Sequence, residues 1–222
     1  MRFGVVRFPG SCDELDAVLA CERVPGASAQ ILWHGDPDLQ GVEAVVVPGG
    51  FSYGDYLRVG AIARFSPVME SVIRFAAGGG LVLGICNGFQ VLCEAGLLPG
   101  ALLPNVQRRF VCRQVELEVA QATMPFTADC ATGELLSIPV KHTTGRYYAP
   151  PAQLDALEAG GQVVLRYAGD ANPNGSSNDI AGVRSADGNV FGLMPHPEHA
   201  VDPLTGSDDG LKIFTSMAHA HG

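Results

Sequence analysis

One cysteine stands where a chain can make a thiol reactive. Leu81-Val82-Leu83-Gly84-Ile85 is an unbroken apolar run that reads as a buried strand, and it leads through Gly84-Ile85-Cys86-Asn87-Gly88 into a helix-like stretch, Asn87–Ala95. A Gly-x-Cys-x-Gly turn between strand and helix is the thiol version of the sharp turn that presents a nucleophile at the carboxyl end of a sheet strand. Gly84 and Gly88 have no Cβ, so neighbouring backbone can come close to the turn. The helix that follows aims its positive amino end at the sulfur and favours thiolate. The backbone N–H of Asn87 can donate to an oxyanion, so the chemistry on offer is nucleophilic attack at a carbonyl carbon. The plainer reading is a buried cysteine in a glycine-rich turn.

A thiol nucleophile needs a base and a group that orients the base. His196 and Glu198 occur in Gly192-Leu193-Met194-Pro195-His196-Pro197-Glu198, just after another apolar run, Val190–Met194. If that run lies parallel to Leu81–Ile85, both carboxyl ends reach the same edge of the sheet. The imidazole can then take the thiol proton while Glu198 holds its other nitrogen, and the flanking prolines fix the loop. The competing reading is a surface histidine and a solvated glutamate. A third loop, Pro48-Gly49-Gly50-Phe51, follows the apolar run Ala44–Val47 and can turn the N–H of Gly50 or Phe51 towards the thiol. The other cysteines, Cys12, Cys21, Cys93, Cys112 and Cys130, form no Cys-x-x-Cys pair, so a structural zinc site has no support and they read as small apolar residues.

The elements that must position these residues alternate. Phe3–Phe8, Ile31–Trp33, Ala44–Val47 and Leu81–Ile85 read as strands; Asp13–Arg23, Pro67–Ala77 and Asn87–Ala95 read as helices. Leu15, Val18 and Leu19 share one face of the first helix, which is the spacing a helix requires. Strands that are apolar throughout belong to a sheet covered on both faces, and their alternation with helices predicts a parallel one. Further on, Val111–Val119 alternates as an antiparallel or edge strand does. Val163–Tyr167, Ile180–Val183 and Val190–Met194 read as strands, and Asp208–His219 as a closing helix. No repeat or linker interrupts the 222 residues, which predicts one α/β domain over 1–222.

Composition narrows the function. A net charge of −9, with no basic cluster longer than Arg108-Arg109, argues against a nucleic-acid partner. No signal-peptide pattern opens the chain and no apolar run is long enough to span a bilayer, so the expected compartment is the cytoplasm with no membrane partner. No Gly-x4-Gly-Lys-Ser/Thr phosphate loop is present.

Together, these segments resemble the class I, or triad, glutamine amidotransferases. Within that family the chain is most similar to glutaminase subunits that serve the synthesis of phosphoribosylformylglycinamidine. The resemblance rests on Pro48–Arg58, Gly84–Gln90, Leu103-Pro104-Asn105 with Arg109-Phe110, Gly145-Arg146-Tyr147, Asn174-Gly175-Ser176 with Ile180-Ala181-Gly182, and His196-Pro197-Glu198, which together run through the whole chain. It implies a single-domain, flavodoxin-like α/β fold with a mostly parallel central sheet. It implies that Cys86 attacks the amide carbon of glutamine to give a γ-glutamyl thioester, that His196 shuttles the proton and that Glu198 orients it. Gly50 and Asn87 would supply oxyanion N–H groups, with Phe51 beside them. Gln90 would contact glutamine, and Asn105, Arg109 and Phe110 would shape the pocket or its approach. The implied partners are a large synthetase subunit and a small accessory subunit in purine biosynthesis. No cofactor or metal is expected in this chain, and ATP and magnesium are expected on the synthetase.

The chain departs from the family pattern at three places. Ser11 joins Cys12 directly, without the usual intervening Asn. In Val140-Lys141-His142-Thr143-Thr144-Gly145, Thr144 replaces a glutamate, and His199 stands where an arginine commonly follows the triad Glu. None is expected to touch the triad, so the resemblance implies intact chemistry and altered loops at the synthetase. Three other readings stay open: a glutaminase for a different synthetase, a stand-alone cysteine hydrolase or isomerase on this fold, and a binding subunit without turnover.

Overall fold

Apolar, β-branched runs form the middle of a nine-stranded sheet. The computed structural model describes residues 1–122, 125–170 and 172–221. The first half alternates: β1 (Arg2–Arg7), α1 (Glu14–Glu22), β2 (Ser28–Trp33), β3 (Ala44–Val47), α2 (Pro67–Ala77), β4 (Leu81–Ile85) and α3 (Asn87–Glu94). Then follow β5 (Ala101–Leu103), β6 (Val111–Val119), β7 (Leu135–His142), β8 (Arg146–Tyr148), α4 (Pro151–Ala159), β9 (Val163–Tyr167), β10 (Ile180–Arg184), β11 (Val190–Leu193) and α5 (Leu211–His221). The large sheet runs β2-β1-β3-β4-β11-β10-β9-β6-β7, and β5 pairs with β8 apart from it. From β2 to β11 every pairing is parallel. From β11 to β7 every pairing is antiparallel.

The expected parallel core is therefore present and carries an antiparallel flank. All four residues of β3 are buried, as are Val82–Ile85 of β4, which is what helices on both faces require. β11 lies parallel beside β4, with Leu193 opposite Ile85, so the segments bearing Cys86 and His196 leave the sheet at one edge. No helix among the described residues is long and apolar enough to cross a membrane.

In α1 the leucine face is not the buried one. Leu15 and Leu19 are 57% and 58% exposed, while Ala17, Ala20 and Cys21 are buried. Both sets fit helical spacing; the small residues face β1 and β2, where a narrow helix surface lets the backbone lie close to the sheet. Four elements, β5, β7, β8 and α4, have no counterpart in the sequence reading. β7 was concealed by Pro139. It pairs only with β6, so the N–H that proline lacks falls on an outer edge, where a ladder does not need it.

That outer edge does not face solvent. The flank curls until β7 meets the carboxyl ends of the parallel strands. The N–H of His196 donates to the Pro139 carbonyl at 2.8 Å, and the Cys86 thiol donates to the Lys141 carbonyl at 3.9 Å. The N–H of Ser137 donates to Oδ2 of Asp209 at 2.8 Å.

Candidate active site

Cys86 sits between β4 and α3 with φ 50° and ψ −103°, a left-handed backbone that a β-carbon disfavours. Its N–H donates to the Leu193 carbonyl at 2.8 Å, which ties the turn to β11. A Cβ on Gly88 would collide with the carbonyl oxygen of Val47, so only glycine lets α3 begin this close to β3. The sulfur lies at the amino end of α3 and its residue is 6% exposed. All six cysteines are free. Burial pushes the Cys21 and Cys93 thiols up, and Cys130 up to about 11, so these three stay protonated at neutral pH.

His196 is 1% exposed. Its Nδ1 is 2.6 Å from Oε1 of Glu198, itself buried, and its Nε2 has no hydrogen-bond partner among the described residues. Burial disfavours the imidazolium, but the charges of Glu198 and of the Cys86 sulfur outweigh it and hold the His196 pKa well above the ordinary value. The imidazole can thus accept a proton from its sulfur neighbour while Glu198 fixes the tautomer. His142, in the same pocket, goes the other way. Burial and the neighbouring His196 lower it to about 4, and its Nε2 accepts from Nδ2 of Asn174 at 3.0 Å, so it is neutral.

A second carboxylate stands behind the first. Asp13 Oδ2 is 3.6 Å from His196 Nδ1, and Asp13 Oδ1 is 2.5 Å from Nζ of Lys141. Lys141 also donates to Nε2 of His199 at 2.9 Å. Burial alone would raise Asp13; His199, His196 and Lys141 together push it well below the carboxylate range. The ligand atoms of Asp13, His196, Glu198 and His199 all lie within 4.8 Å of one another, a spacing that could hold a metal ion. The Lys141 ammonium already supplies a cation to this group, which makes it a charge-balanced network in its own right.

A cavity opens on the sulfur, and its lining includes Gly50, Phe51, Asp55, Gln90, Phe110 and Thr144 beside Cys86 and His196. Gly50 has φ 143°, and a Cβ there would stand 2.7 Å from the Cys12 nitrogen. The N–H of Phe51 already donates to the Gly10 carbonyl at 2.8 Å, so it is not free for an oxyanion; Gly50 N–H has no acceptor among the described residues. Asn87 is buried, and its side chain accepts from Ser52 N–H at 3.1 Å and donates to Gln90 Oε1 at 3.0 Å. Gln90 in turn donates to the Thr144 carbonyl.

Asn105, Arg109 and Phe110 separate. Phe110 lines the cavity. Asn105 does not: it is 1% exposed and saturated, donating to the carbonyls of Arg109 and His142 and accepting from Gly145 N–H. It clamps the loop before β6 to the end of β7. The Arg109 side chain is exposed and outside the lining. The departures also lie nearer the chemistry than expected of docking loops. His199 Nε2 is 3.7 Å from Glu198 Oε1 and its ring packs on His196 with centroids 5.5 Å apart, and Thr144 lines the cavity. Asp13, Asp55 and Lys141 went unnoticed in the sequence. Asp13 had a signal, because it follows β1 at the same sheet edge. Lys141 rides on the unread strand β7.

The comparisons agree with this architecture. The family model described as a CobB/CobQ-like glutamine amidotransferase domain matches residues 1–214. The phosphoribosylformylglycinamidine synthase subunit PurQ of Rubrobacter xylanophilus is 61% identical over 217 residues, covering 98% of this chain and 97% of that protein. That of Mycobacterium tuberculosis is 59% identical over 220 residues, covering 99% and 97%. Among solved structures, PurLQS from Thermotoga maritima superposes with a TM-score of 0.91 at 44% identity, covering 100% of this chain and 99% of the matched one. A glutamine amidotransferase from the same organism shares the fold at a TM-score of 0.64 and 15% identity, covering 100% and 97%.

Proposed function

The chain belongs to the CobB/CobQ-like glutamine amidotransferases, among the PurQ subunits of phosphoribosylformylglycinamidine synthase, and from this we propose how its own residues release ammonia from glutamine. It is the glutaminase subunit of that synthase and acts with a large synthetase subunit and a small accessory subunit in purine biosynthesis.

In the proposed sequence the Cys86 sulfur gives its proton to Nε2 of His196 and attacks the amide carbon of glutamine. The carbonyl electrons move to oxygen, where Gly50 and Asn87 N–H groups meet the charge; such a donor contributes about 100- to 1,000-fold in rate. His196 returns the proton to the amide nitrogen, the C–N bond breaks and ammonia leaves a γ-glutamyl thioester. Water then attacks the thioester, His196 takes its proton, and glutamate departs as the sulfur is freed. Glu198 orients His196 throughout. Gln90 and Phe110 line the cavity where glutamine fits; Asn105 supports that wall, and Arg109 serves the approach. The chain needs no cofactor of its own; ATP and magnesium act on the synthetase, and the complex works in the cytoplasm.

The observation that carries the reading is the buried His196–Glu198 pair, 2.6 Å apart, beside a sulfur at a strained strand-to-helix turn. Nothing in a buried, turnover-free core demands that arrangement. The test is to combine the chain with the synthetase and accessory subunits and compare glutamine with ammonia as nitrogen donor. Cys86→Ala is expected to remove glutamine-dependent synthesis and keep ammonia-dependent synthesis. Glutamine-dependent synthesis that survives in Cys86→Ala would dismiss the nucleophile.

A further inference from the structure

Among the residues that line the cavity with the catalytic thiol is a carboxylate with no partner among the described residues. Asp55 ends the one-turn 3-10 segment Ser52–Asp55 after β3 and contributes to the same cavity wall as Cys86, Gln90 and Thr144. Its Oδ1 is buried and accepts no hydrogen bond among the described residues, and no cation pairs with it there. Burial raises its pKa to about 6. The two other carboxylates near the thiol are committed, Asp13 to Lys141 and Glu198 to His196.

The segment that carries Asp55 is held in a costly shape. Tyr53, Gly54, Asp55 and Leu57 all have left-handed φ, between 53° and 69°. It does not drift. The Tyr53 hydroxyl is hydrogen-bonded to His34 at 2.8 Å and to Ser66 at 2.9 Å, and the Ser52 N–H is bound by Asn87, the residue after the nucleophile. A preorganised acid on a cavity wall, desolvated and unpaired, is suited to receive a cation.

Resting on the function proposed above, we infer that Asp55 is a specificity residue whose carboxylate receives the α-ammonium group of L-glutamine. When the side-chain amide lies on Cys86, glutamine brings one positive group and one negative group to the remainder of the cavity. The α-carboxylate would be repelled by Asp55, whereas the ammonium ends its unpaired state. The contact does not touch the reacting atoms, so it contributes equally to the bound substrate and to the transition state, and belongs in KM and not in kcat.

The experiment uses the assembled complex with Asp55→Asn. Asparagine accepts left-handed φ as readily as aspartate, so the loop keeps its shape while the charge is removed. Ammonia-dependent synthesis, which bypasses this cavity, reports assembly. KM for L-glutamine is expected to rise about 10- to 100-fold with kcat little changed, the usual size of a lost charge-assisted hydrogen bond. Glutaramic acid, which is glutamine without its α-amino group, is the second probe; its inhibition constant should be the same for native and variant complexes. An unchanged glutamine KM, or a parallel rise of KM and of the glutaramic acid constant, would overturn the assignment. A native complex that makes product from ammonia but never from glutamine would instead bring down the underlying glutaminase reading, and this inference with it.

Discussion

Two buried histidines share one pocket and are driven in opposite directions. His196 keeps a carboxylate at 2.6 Å and a sulfur beside it, so the charged form is favoured despite burial. His142 has only an amide donor and a neighbouring histidine, so it stays neutral down to about pH 4. The contrast fixes which of the two can shuttle protons, and linkage makes it measurable. The folded pKa of His142 lies below its unfolded value of 6.5. Its neutral form therefore stabilises the fold fully above that value, and the contribution is lost as pH falls towards 4, about 3 kcal/mol in all. In urea unfolding at pH 8, 6 and 4, native chain should lose that amount relative to His142→Asn. A difference between the two that ignores pH would mean that His142 charges as easily folded as unfolded.

At the scale of elements, the catalytic edge depends on how closely α3 meets β3. Gly88→Ala puts a methyl against the Val47 carbonyl, which is backbone and cannot swing aside. The helix must shift, at a cost of about 1–3 kcal/mol. Because the same shift moves the amino end of α3 away from the sulfur, thermal stability and glutaminase turnover should fall together; a variant with native melting and native turnover would contradict the packing. This turn was legible in the sequence because its signals are local: an apolar run, two glycines and a cysteine within nine residues. His196 and Glu198 were legible because the run before them is a strand of the same kind. Lys141 and Asp13 were not, since their pairing spans 128 residues and depends on how far the flank curls. The existence of α1 was legible and its orientation was not, because leucine is the more apolar residue and alanine the better neighbour for a sheet.

The whole molecule carries a net charge of −9, yet exposed aromatic side chains are among those that line its cavity. Phe51 and Phe110 line the cavity at 51% and 53% exposure, and Tyr56 and Leu57, which lie in sequence between the lining residues Asp55 and Val59, are 74% and 90% exposed. Large apolar side chains gathered at an opening are covered in a working assembly. The synthetase that receives the ammonia is the natural cover, since docking there would seal the product from water. Leu57→Asp should weaken association with the synthetase about tenfold or more, as removal of a central apolar anchor does. Its backbone, at φ 69°, suits aspartate better than leucine, so the fold should be spared. Titration calorimetry with the purified synthetase measures this, and an unaltered dissociation constant would place the interface elsewhere.

The curl of β7 has a further consequence. A strand that ends a sheet offers bare N–H and C=O groups to any passing strand and so invites aggregation. Here that edge is taken up in part by the turns of the candidate site: Asp209 takes the Ser137 N–H, proline removes the next donor, His196 N–H caps the Pro139 carbonyl and the Cys86 thiol faces the carbonyl of Lys141. The loops proposed for the chemistry are also the selvedge of the sheet. The integrity of the active site and the protein's resistance to edge-to-edge polymerisation are thereby one structural property.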